Sequence, residues 1–187
     1  MSYGRSRRDR RRYREAVSEA LTRAESLIRT IPDYPEPGVL FRDITPLLAD
    51  ASALRTVIHA LIAPFDGDFD VVAGVEARGF LLAGAAAMEA GAGLVPIRKA
   101  GKLPRPAASV DYTLEYGTAT IEAHDDIRAG MRVLLVDDVL ATGGTLVAAR
   151  ALVERLGGTV VGTAVLMELE SLGGRAVVGD VHTVFRA

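Results

Sequence analysis

The fold is decided by one stretch of the chain, Val133-Leu134-Leu135-Val136-Asp137-Asp138-Val139-Leu140-Ala141-Thr142-Gly143-Gly144-Thr145. An apolar run predicts a buried strand, two acids follow it, and a turn of small residues leads into a helical segment. In open α/β sheets, ligands bind at the carboxyl ends of the strands. The turn is therefore the first candidate for a functional site.

The composition of this turn suits a sugar phosphate. Its two glycines let the backbone approach a ligand closely, and amides at the N-terminus of a helix favour a phosphate. Thr142 and Thr145 add hydroxyl donors. The carboxylates of Asp137 and Asp138 would repel a phosphate, but they can accept hydrogen bonds from a pair of ribose hydroxyls. The strand end alone thus indicates a site for ribose 5-phosphate.

Other phosphate-binding motifs do not fit the spacing of this stretch. It lacks the Gly-Lys-Ser/Thr ending of a Walker loop and the G-x-G-x-x-G spacing of a dinucleotide site. The alternative is a solvated strand end followed by an ordinary turn. A lone Gly-Gly pair would favour that interpretation, but the whole stretch is far more specific.

Strand and helix patterns alternate through most of the chain. We predict strands at residues 70–75, 94–97, 132–136 and 160–167, and helices at residues 50–63, 80–89 and 144–156. This alternation implies right-handed crossovers and an α/β fold, with a central, mainly parallel, twisted sheet flanked by helices. Residues 111–115 and 118–123 flank a Tyr116-Gly117 turn, which predicts an inserted β-hairpin.

The N-terminal region combines a basic run with a helix and a proline-rich segment. Residues 1–14 hold seven arginines and one acid, a net charge of +6 in a chain whose formal total is −2. Because like charges repel, we predict a disordered tail at residues 1–12 in preference to a nucleic-acid arm, followed by one domain at residues 13–187. Apolar residues at helical spacing predict a helix from Tyr13 to Ile28. Three prolines and a glycine predict an extended, ordered loop at residues 31–38.

The overall composition excludes several classes of protein. A formal net charge of −2 argues against a dedicated nucleic-acid binder. The chain has no cysteine and hence no disulfide framework, and no apolar run follows the arginines as it would in a signal peptide. The longest apolar run, residues 79–88, is half of the roughly 20 residues that a membrane span needs. We predict a cytoplasmic protein without a membrane or nucleic-acid partner.

Five segments together resemble a known enzyme family. Residues 133–145 resemble the motif with which type I phosphoribosyltransferases bind 5-phosphoribosyl 1-diphosphate (PRPP). Four more resemble the adenine phosphoribosyltransferases in that family: IPDYPEPGVLFRDITPLL (31–48), GVEARGF (74–80), IRKAGKLP (97–104) and YTLEYG (112–117). They occur in the family's order and spacing and cover most of residues 30–170. The resemblance implies the type I phosphoribosyltransferase fold, with a flexible lid at the inserted hairpin and an N-terminal hood of helix and loop.

The resemblance also implies an activity. Such an enzyme is a glycosyltransferase that joins adenine to the ribose 5-phosphate of PRPP, forming AMP and releasing diphosphate in purine salvage. Mg²⁺ is the implied cofactor, and a homodimer is the implied assembly. Because the leaving group is a polyanion, catalysis should rest on positioning and charge stabilisation. Mg²⁺ prefers substrate phosphates and water over full protein cages, so we expect the substrate to hold it and no metal site built from protein ligands.

For the PRPP half of the site, the resemblance assigns four groups of residues. The ribose hydroxyls are bound by Asp137 and Asp138. The 5-phosphate is held by Ala141, Thr142, Gly143, Gly144 and Thr145. The diphosphate loop consists of Glu76, Ala77 and Arg78, with a cis peptide expected between the first two. The basic lid over the diphosphate carries Arg98, Lys99 and Lys102.

For the purine half, the resemblance assigns catalysis to Glu115 and Tyr116, together with Arg78 of the diphosphate loop. Glu115 would hold the proton of a purine ring nitrogen as the base becomes a nucleophile, and Tyr116 would shield the reaction from water. An aromatic face can stack on a purine, which is the role implied for Phe41. The rest of the adenine pocket is implied to consist of Leu40, Arg42 and Leu169.

Two alternatives stay open. A 6-oxopurine, hypoxanthine or xanthine, is the rival base, because contacts through the backbone do not show whether the site accepts from an amine or donates to a carbonyl. The other alternative is a regulator that senses PRPP and has lost catalysis. Such proteins generally carry a DNA-binding domain, and residues 1–30 are too short for a helix-turn-helix module with a linker.

Overall fold

The computed structural model of the chain describes residues 7–65, 67–114 and 117–187. Their contacts divide the chain into two compact units, Met1–Val57 and Ile58–Ala187, and the boundary falls inside a helix. In this described part of the chain, no helix is long and apolar enough to cross a membrane.

The N-terminal unit contains helices and a two-stranded sheet. Its elements are α1 (Arg7–Glu25), β1 (Arg29–Pro32), β2 (Leu40–Asp43), α2 (Thr45–Ala49) and the first part of α3 (Ala51–Ile62). The predicted first helix is present, but it begins at Arg7 and ends at Glu25. Residues 7–12 of the predicted tail therefore lie in α1, whereas residues 1–6 lie outside the described residues.

The proline-rich segment turns back on itself, so it is more than the extended loop that its composition predicts. β1 and β2 pair antiparallel, with Ile31 opposite Phe41. Asp33 and Gly38 adopt left-handed backbone angles, with φ values of 56° and 88°. The Gly38 N–H donates to Asp33 Oδ1 at 2.7 Å and closes the turn. The prolines conceal this pairing because they break the alternation that marks a strand.

The C-terminal unit follows the predicted alternation of strands and helices. After a 3-10 turn (Ala63–Phe65), its elements are β3 (Val71–Val75), α4 (Gly79–Ala90), β4 (Gly93–Lys99), β5 (Ala108–Leu114), β6 (Gly117–Ala123), β7 (Arg132–Leu140), α5 (Gly144–Arg155), β8 (Thr159–Glu168), a second 3-10 turn (Glu170–Leu172), α6 (Gly174–Val178) and β9 (His182–Arg186). Every strand and helix predicted for this unit is present. The sequence pattern did not predict α6 and β9, which are both only five residues long.

Seven strands form one sheet in the order β5-β6-β4-β3-β7-β8-β9. The five strands from β4 to β9 in this order run parallel, whereas β6 pairs antiparallel with both β4 and β5. The predicted mainly parallel sheet and its inserted hairpin are therefore confirmed. Because parallel strands end at the same edge of a sheet, the carboxyl ends of β3, β4, β7 and β8 lie along one edge.

Burial on both faces explains why the central runs form strands. All five residues of β3 are buried, as are residues 133–138 of β7. Near-continuous apolar runs of this kind are typical of parallel strands that are covered on both sides. Leu152 and Val153 of α5 belong to the core cluster on one face. Ala83 of α4 packs closely against Gly74 of β3. A Cβ added to Gly74 would lie only 2.6 Å from the Cβ of Ala83.

The end of β7 differs from its prediction, and the difference shapes the site. The strand continues past Val136 through both acids to Leu140, because β8 goes on pairing with it as far as Leu140 opposite Glu168. On the other side, the pairing of β3 with β7 ends at Val136. One flank of Asp137 and Asp138 is therefore left without a neighbouring strand, while the other flank holds them in the sheet.

Candidate active site

A cavity of about 330 Å³ lies at this edge of the sheet. Its lining joins the acid pair to the small-residue turn and includes Glu76 and Lys99 from the ends of the neighbouring strands. The full lining is Val75, Glu76, Lys99, Tyr112, Ala119, Ile121, Asp137, Asp138, Val139, Leu140, Ala141, Thr142, Gly143, Thr145 and Leu146. The cavity thus brings together the residues predicted for the ribose and all of those predicted for the 5-phosphate except Gly144, which begins α5 outside the lining.

The two acids at the end of β7 are both buried. Asp137 is 8% exposed and Asp138 is 7% exposed, and the Asp138 N–H donates to Asp137 Oδ1 at 2.8 Å. Burial and the neighbouring charge of Asp138 raise the pKa of Asp137 well above its ordinary value, against the opposing charge of Arg78. The site therefore holds one carboxyl group that resists ionisation.

Arg78 neutralises the other acid. Its Nη2 lies 2.5 Å from Asp138 Oδ2, and its side chain is about one-third exposed. Arg78 immediately precedes α4, in the loop that follows β3. The same loop contains the cis peptide between Glu76 and Ala77, which confirms the prediction made from the resemblance. The guanidinium thus lies against the acid pair and stays partly exposed.

The diphosphate loop and the acid pair are in direct contact. Gly79 begins α4 beside β7, and a Cβ at this position would lie 2.8 Å from Asp137 Oδ1 and 3.1 Å from the carbonyl oxygen of Val136. Any side chain at Gly79 would therefore displace Asp137. The glycine of the Ala-Arg-Gly sequence is needed for close packing between the start of α4 and β7.

The turn after β7 has the geometry of an anion site. Gly143 adopts a left-handed backbone angle with φ of 88° and forms the N-cap of α5. A Cβ on Gly143 would lie 2.8 Å from the carbonyl oxygen of Gly174, so a larger residue would clash as well as strain the backbone. The first amides of α5 have no partners within the helix and carry its partial positive charge. These amides can bind a phosphate.

Glu76 contacts all three residues of the basic lid, Arg98, Lys99 and Lys102. Its side chain is buried; its carboxylate accepts the backbone N–H of Lys99 at 3.0 Å and pairs with Lys102 and, at 3.4 Å, with Arg98. Burial acts to raise the pKa of Glu76, but the Lys102 ammonium, the Lys99 N–H and the Arg98 charge outweigh it and lower the pKa. The carboxylate that was assigned to substrate binding thus holds three lid residues; its contact with substrate stays a prediction.

Glu122 is a second buried acid beneath the lid, and the sequence analysis did not identify it. It lies on β6 opposite Arg98 of β4. Its Oε1 accepts the N–H of Lys102 at 3.1 Å and that of Leu103 at 2.9 Å. The Leu103 N–H is the main reason why the pKa of Glu122 is lowered, against the effect of burial. The only signal in the sequence is a charged residue inside an otherwise uncharged strand.

Comparison with known proteins identifies the family. Residues 43–179 match the phosphoribosyl transferase domain. An adenine phosphoribosyltransferase from an Arthrobacter strain is 60% identical over 152 residues, which cover 81% of this chain and 82% of that protein. The chain belongs to the adenine phosphoribosyltransferase family.

Solved structures agree with this family. The crystal structure of adenine phosphoribosyltransferase from Rhodothermus marinus has a TM-score of 0.87 and 50% identity, covering 91% of this chain and 99% of its own. The Giardia lamblia enzyme complexed with 9-deazaadenine has a TM-score of 0.84 and 40% identity, covering 89% of this chain and 97% of its own. The type I phosphoribosyltransferase fold that the resemblance implied is therefore confirmed.

The residues assigned to the purine are distributed differently from those assigned to PRPP. Leu40, Phe41 and Arg42 form the start of β2 in the N-terminal unit. Leu169 follows β8, and its N–H donates to the Leu140 carbonyl oxygen at 2.9 Å, at the carboxyl edge of the sheet. Glu115 and Tyr116 lie outside the described residues. The hairpin residues of the cavity wall, Tyr112, Ala119 and Ile121, were not predicted, because their place depends on how the hairpin packs.

We expect Asp137→Asn to stabilise the protein. Folding raises the pKa of this carboxyl above its ordinary 3.8, so its ionised form opposes folding at neutral pH, and that penalty disappears as the pH falls from the raised pKa toward 3.8. The substitution should add about 1 kcal/mol to the free energy of unfolding at pH 7. Urea unfolding measured at pH 7 and at lower pH should show this gain shrinking.

Asp138→Asn is the matched control for Asp137→Asn. Asp138 is equally buried, but its carboxylate pairs with Arg78, so its neutralisation removes an ion pair and should not raise stability. A variant Asp137→Asn that is less stable than the wild type at pH 7 would contradict the assignment of the unfavourable charge to Asp137.

We expect Glu122→Gln to loosen the base of the lid. Charge-assisted hydrogen bonds are roughly twice as strong as neutral ones, so losing the charge that faces the Lys102 and Leu103 amides should weaken the anchor by about 1 kcal/mol. Opening of the loop, and therefore trypsin cleavage after Lys102, should rise about fivefold. Mass spectrometry of the fragments would identify the cleaved bonds.

Glu154→Gln on the exposed face of α5 is the control for Glu122→Gln. It should leave the cleavage rate unchanged. Because the pKa of Glu122 is lowered from 4.5, its carboxylate stabilises the fold above pH 4.5, and this contribution is lost as the pH falls through the lowered pKa. Equal cleavage of Glu122→Gln and wild type would rule out the anchoring role.

Proposed function

We propose that the cavity at the end of β7 is the site where this chain joins adenine to the ribose 5-phosphate of PRPP, forming AMP and releasing diphosphate in purine salvage. One observation carries the proposal. The buried pair Asp137 and Asp138 has, on one side, the N-terminal turn of α5, which suits a phosphate. On the other side it has a group of cations that suits a diphosphate. Sugar, phosphate and leaving group each have a complementary surface in one place.

The 5-phosphate occupies the turn at residues 141–145, where the first amides of α5 and two threonine hydroxyls can donate to its oxygens. The ribose hydroxyls then lie next to Asp137 and Asp138. A carboxylate can accept hydrogen bonds from two such hydroxyls, and the Asp138 carboxylate lies in an ion pair with Arg78. The carboxyl of Asp137, which resists ionisation, can accept a hydrogen bond or donate one.

The diphosphate binds on the side of the acid pair where the cations lie. Arg78 precedes α4, Lys99 ends β4 and lines the cavity, and Lys102 lies in the lid. Arg78 pairs with Asp138 and Lys102 pairs with Glu76, so both cations are close to the site with their charges already oriented. They stabilise the negative charge that develops as the bond from ribose C1 to diphosphate breaks.

The adenine is recognised by the residues that the resemblance assigns to it. Phe41 stacks on the purine, Leu40 and Arg42 read its edge, and Leu169 closes the pocket. Glu115 holds the proton of a ring nitrogen while another nitrogen attacks the sugar, and Tyr116 shields the reaction from water. The complex of the Giardia lamblia enzyme with 9-deazaadenine supports a purine analogue as a ligand of this family.

Mg²⁺ would accompany PRPP and would be held mainly by substrate oxygens and water. The carboxylates of Asp137 and Asp138 fit this ion, since Mg²⁺ prefers oxygen ligands. Within residues 7–65, 67–114 and 117–187, no group of three or more His, Cys, Asp or Glu could hold a metal ion. When bound, Mg²⁺ offsets part of the diphosphate charge.

The active form is a homodimer that associates through an exposed apolar face on α4. Leu81 and Met88 lie on this face, and Met88 is 84% exposed. A Cβ at Gly84 would lie 3.8 Å from Leu94 Cδ2, so the exposed Leu94 of β4 extends the same face. Exposed apolar patches of this kind mark association sites.

Sedimentation equilibrium would test the dimer. We expect the wild-type chain to sediment as a dimer at micromolar concentration and Met88→Glu to weaken the dimer by at least tenfold, because a charge would be buried at its interface. Val147→Glu, which places the same charge on the exposed face of α5, should have no effect. A wild-type monomer, or equal effects of both variants, would contradict the proposal.

The function is tested by incubating the chain with PRPP, Mg²⁺ and one purine at a time. We expect AMP from adenine and no nucleotide from hypoxanthine or xanthine. A nucleotide formed from hypoxanthine or xanthine would show that the base is a 6-oxopurine. Binding of PRPP without any product would instead indicate a PRPP-sensing regulator.

Glu115→Gln separates catalysis from binding in the same assay. The neutral amide cannot take up the proton of the purine, so kcat should fall about a hundredfold, while the Kd for PRPP measured by calorimetry should stay within twofold. Glu154→Gln on α5 serves as the control and should retain full activity. An unchanged kcat for Glu115→Gln would remove this residue from the mechanism.

A further inference from the structure

The turn at residues 141–145, called the phosphate turn below, packs against the start of α6. A Cβ added to Gly174 would overlap the carbonyl oxygen of Ala141 and would lie 2.8 Å from Leu140 Cδ1. In the other direction, a Cβ on Gly143 would lie 2.8 Å from the Gly174 carbonyl oxygen and 2.8 Å from Val178 Cγ2. The backbone of the turn and the backbone of α6 therefore approach each other closely at Ala141 and Gly174 and at Gly143 and Gly174, with Leu140 and Val178 packed beside them.

An ion pair between the partly exposed Arg175 and the buried carboxylate of Glu168 holds α6 in this position. Arg175 Nη2 lies 2.5 Å from Glu168 Oε2 and its Nε lies 2.9 Å from Glu168 Oε1, a two-pronged contact. Arg175 Nη1 also donates to the carbonyl oxygen of Val181 at 2.8 Å. Glu168 is only 5% exposed. A fork of this kind fixes direction as well as distance, which a single-point contact would not do.

Glu168 connects this ion pair to the strands that carry the site. It is the last residue of β8 and lies opposite Leu140, the last residue of β7. The acid at the end of β8 therefore holds Arg175, and the residue before Arg175 presses on Ala141, which follows β7. The contacts form a closed loop around the turn. Small displacements of phosphate-binding amides weaken binding strongly, because their geometry is set in advance.

We propose that Glu168, Arg175 and Gly174 are positioning residues for the 5-phosphate of PRPP. They do not touch the substrate; the ion pair keeps Gly174 against Ala141, and this contact aims the amides of the turn. The inference rests on the proposed place of the 5-phosphate at residues 141–145. Its consequence is selective: ligands with a 5-phosphate lose affinity when the support is altered, and free adenine does not.

Gly174→Ala is the direct test, with Gly173→Ala as its matched control. The new methyl group at Gly174 must displace Ala141, whereas at Gly173 it meets nothing within 4 Å and only strains a backbone with φ of 67°. Calorimetry should show the Kd for ribose 5-phosphate rising about tenfold in Gly174→Ala and staying within twofold in Gly173→Ala. The KM for PRPP should follow the Kd, while the KM for adenine stays within twofold.

Arg175→Lys tests the ion pair without adding volume beneath the turn. Lysine keeps the charge but loses the fork, so we expect the same selective weakening of ribose 5-phosphate binding. Arg186→Lys is the control, because Arg186 approaches the same Glu168 at 3.7 Å but is 59% exposed. Circular dichroism would establish that each variant is folded. A wild-type Kd in both Gly174→Ala and Arg175→Lys, or equal losses for adenine, would overturn the inference.

Thr145→Val distinguishes failure of this inference from failure of the proposed site. It removes a hydroxyl donor from the turn itself, so ribose 5-phosphate should bind more weakly if the phosphate occupies residues 141–145. If Thr145→Val binds as the wild type does, the proposed phosphate site is wrong and the positioning role falls with it. If Thr145→Val weakens binding but Gly174→Ala and Arg175→Lys do not, only the positioning role is wrong.

Discussion

Two carboxylates buried side by side at the end of β7 are the constraint on which the rest of the site depends. Both are less than 10% exposed, so water solvates their charges poorly, and Asp138 forms an ion pair with Arg78 at 2.5 Å. The ionised form of Asp137 is therefore unfavourable and the pKa of this carboxyl is raised, a cost that a well-packed neutral residue would not have. Proteins keep such groups where function requires them, and a pair of ribose hydroxyls is a ligand that would use both oxygens. The nearby glycine, Gly79, leaves room for Asp137 and for nothing larger.

Three further buried acids organise the surroundings of this pair. Glu76 holds the cations of the lid, Glu122 holds the backbone amides at the base of the lid, and Glu168 holds Arg175 behind the phosphate turn. In each case, partners lower the pKa of the acid, so it stays charged at neutral pH and its contacts persist. The cavity is thus surrounded by ionised carboxylates that fix neighbouring segments, whereas burial and the Asp138 charge raise the pKa of Asp137.

The structure departs from the sequence-based prediction where pairing partners decide the outcome. The apolar pattern ends β7 at Val136, but pairing with β8 carries the strand on to Leu140. Prolines hide the pairing of β1 with β2, and β9 is too short to show a pattern. The predicted inserted hairpin is present, because two alternating runs close together in the sequence specify it locally, but Gly117, which was predicted to lie in the turn, begins β6 opposite Leu114. The residues at which a strand begins and ends, by contrast, depend on the neighbouring strands with which it pairs.

The sequence by itself determined the α/β class, the strand, acid pair and small-residue turn, and the type of ligand that these residues suit. Such features follow from the order of residues a few positions apart, which sets local conformation and the chemistry at a strand end. Only the tertiary structure decided that Glu122 anchors the lid, that Glu76 pairs with Lys102, and that Gly174 supports the turn. These contacts join residues 20 or more positions apart or involve short elements. The local pattern of apolar and polar residues does not specify which side chains will meet when distant strands and helices pack.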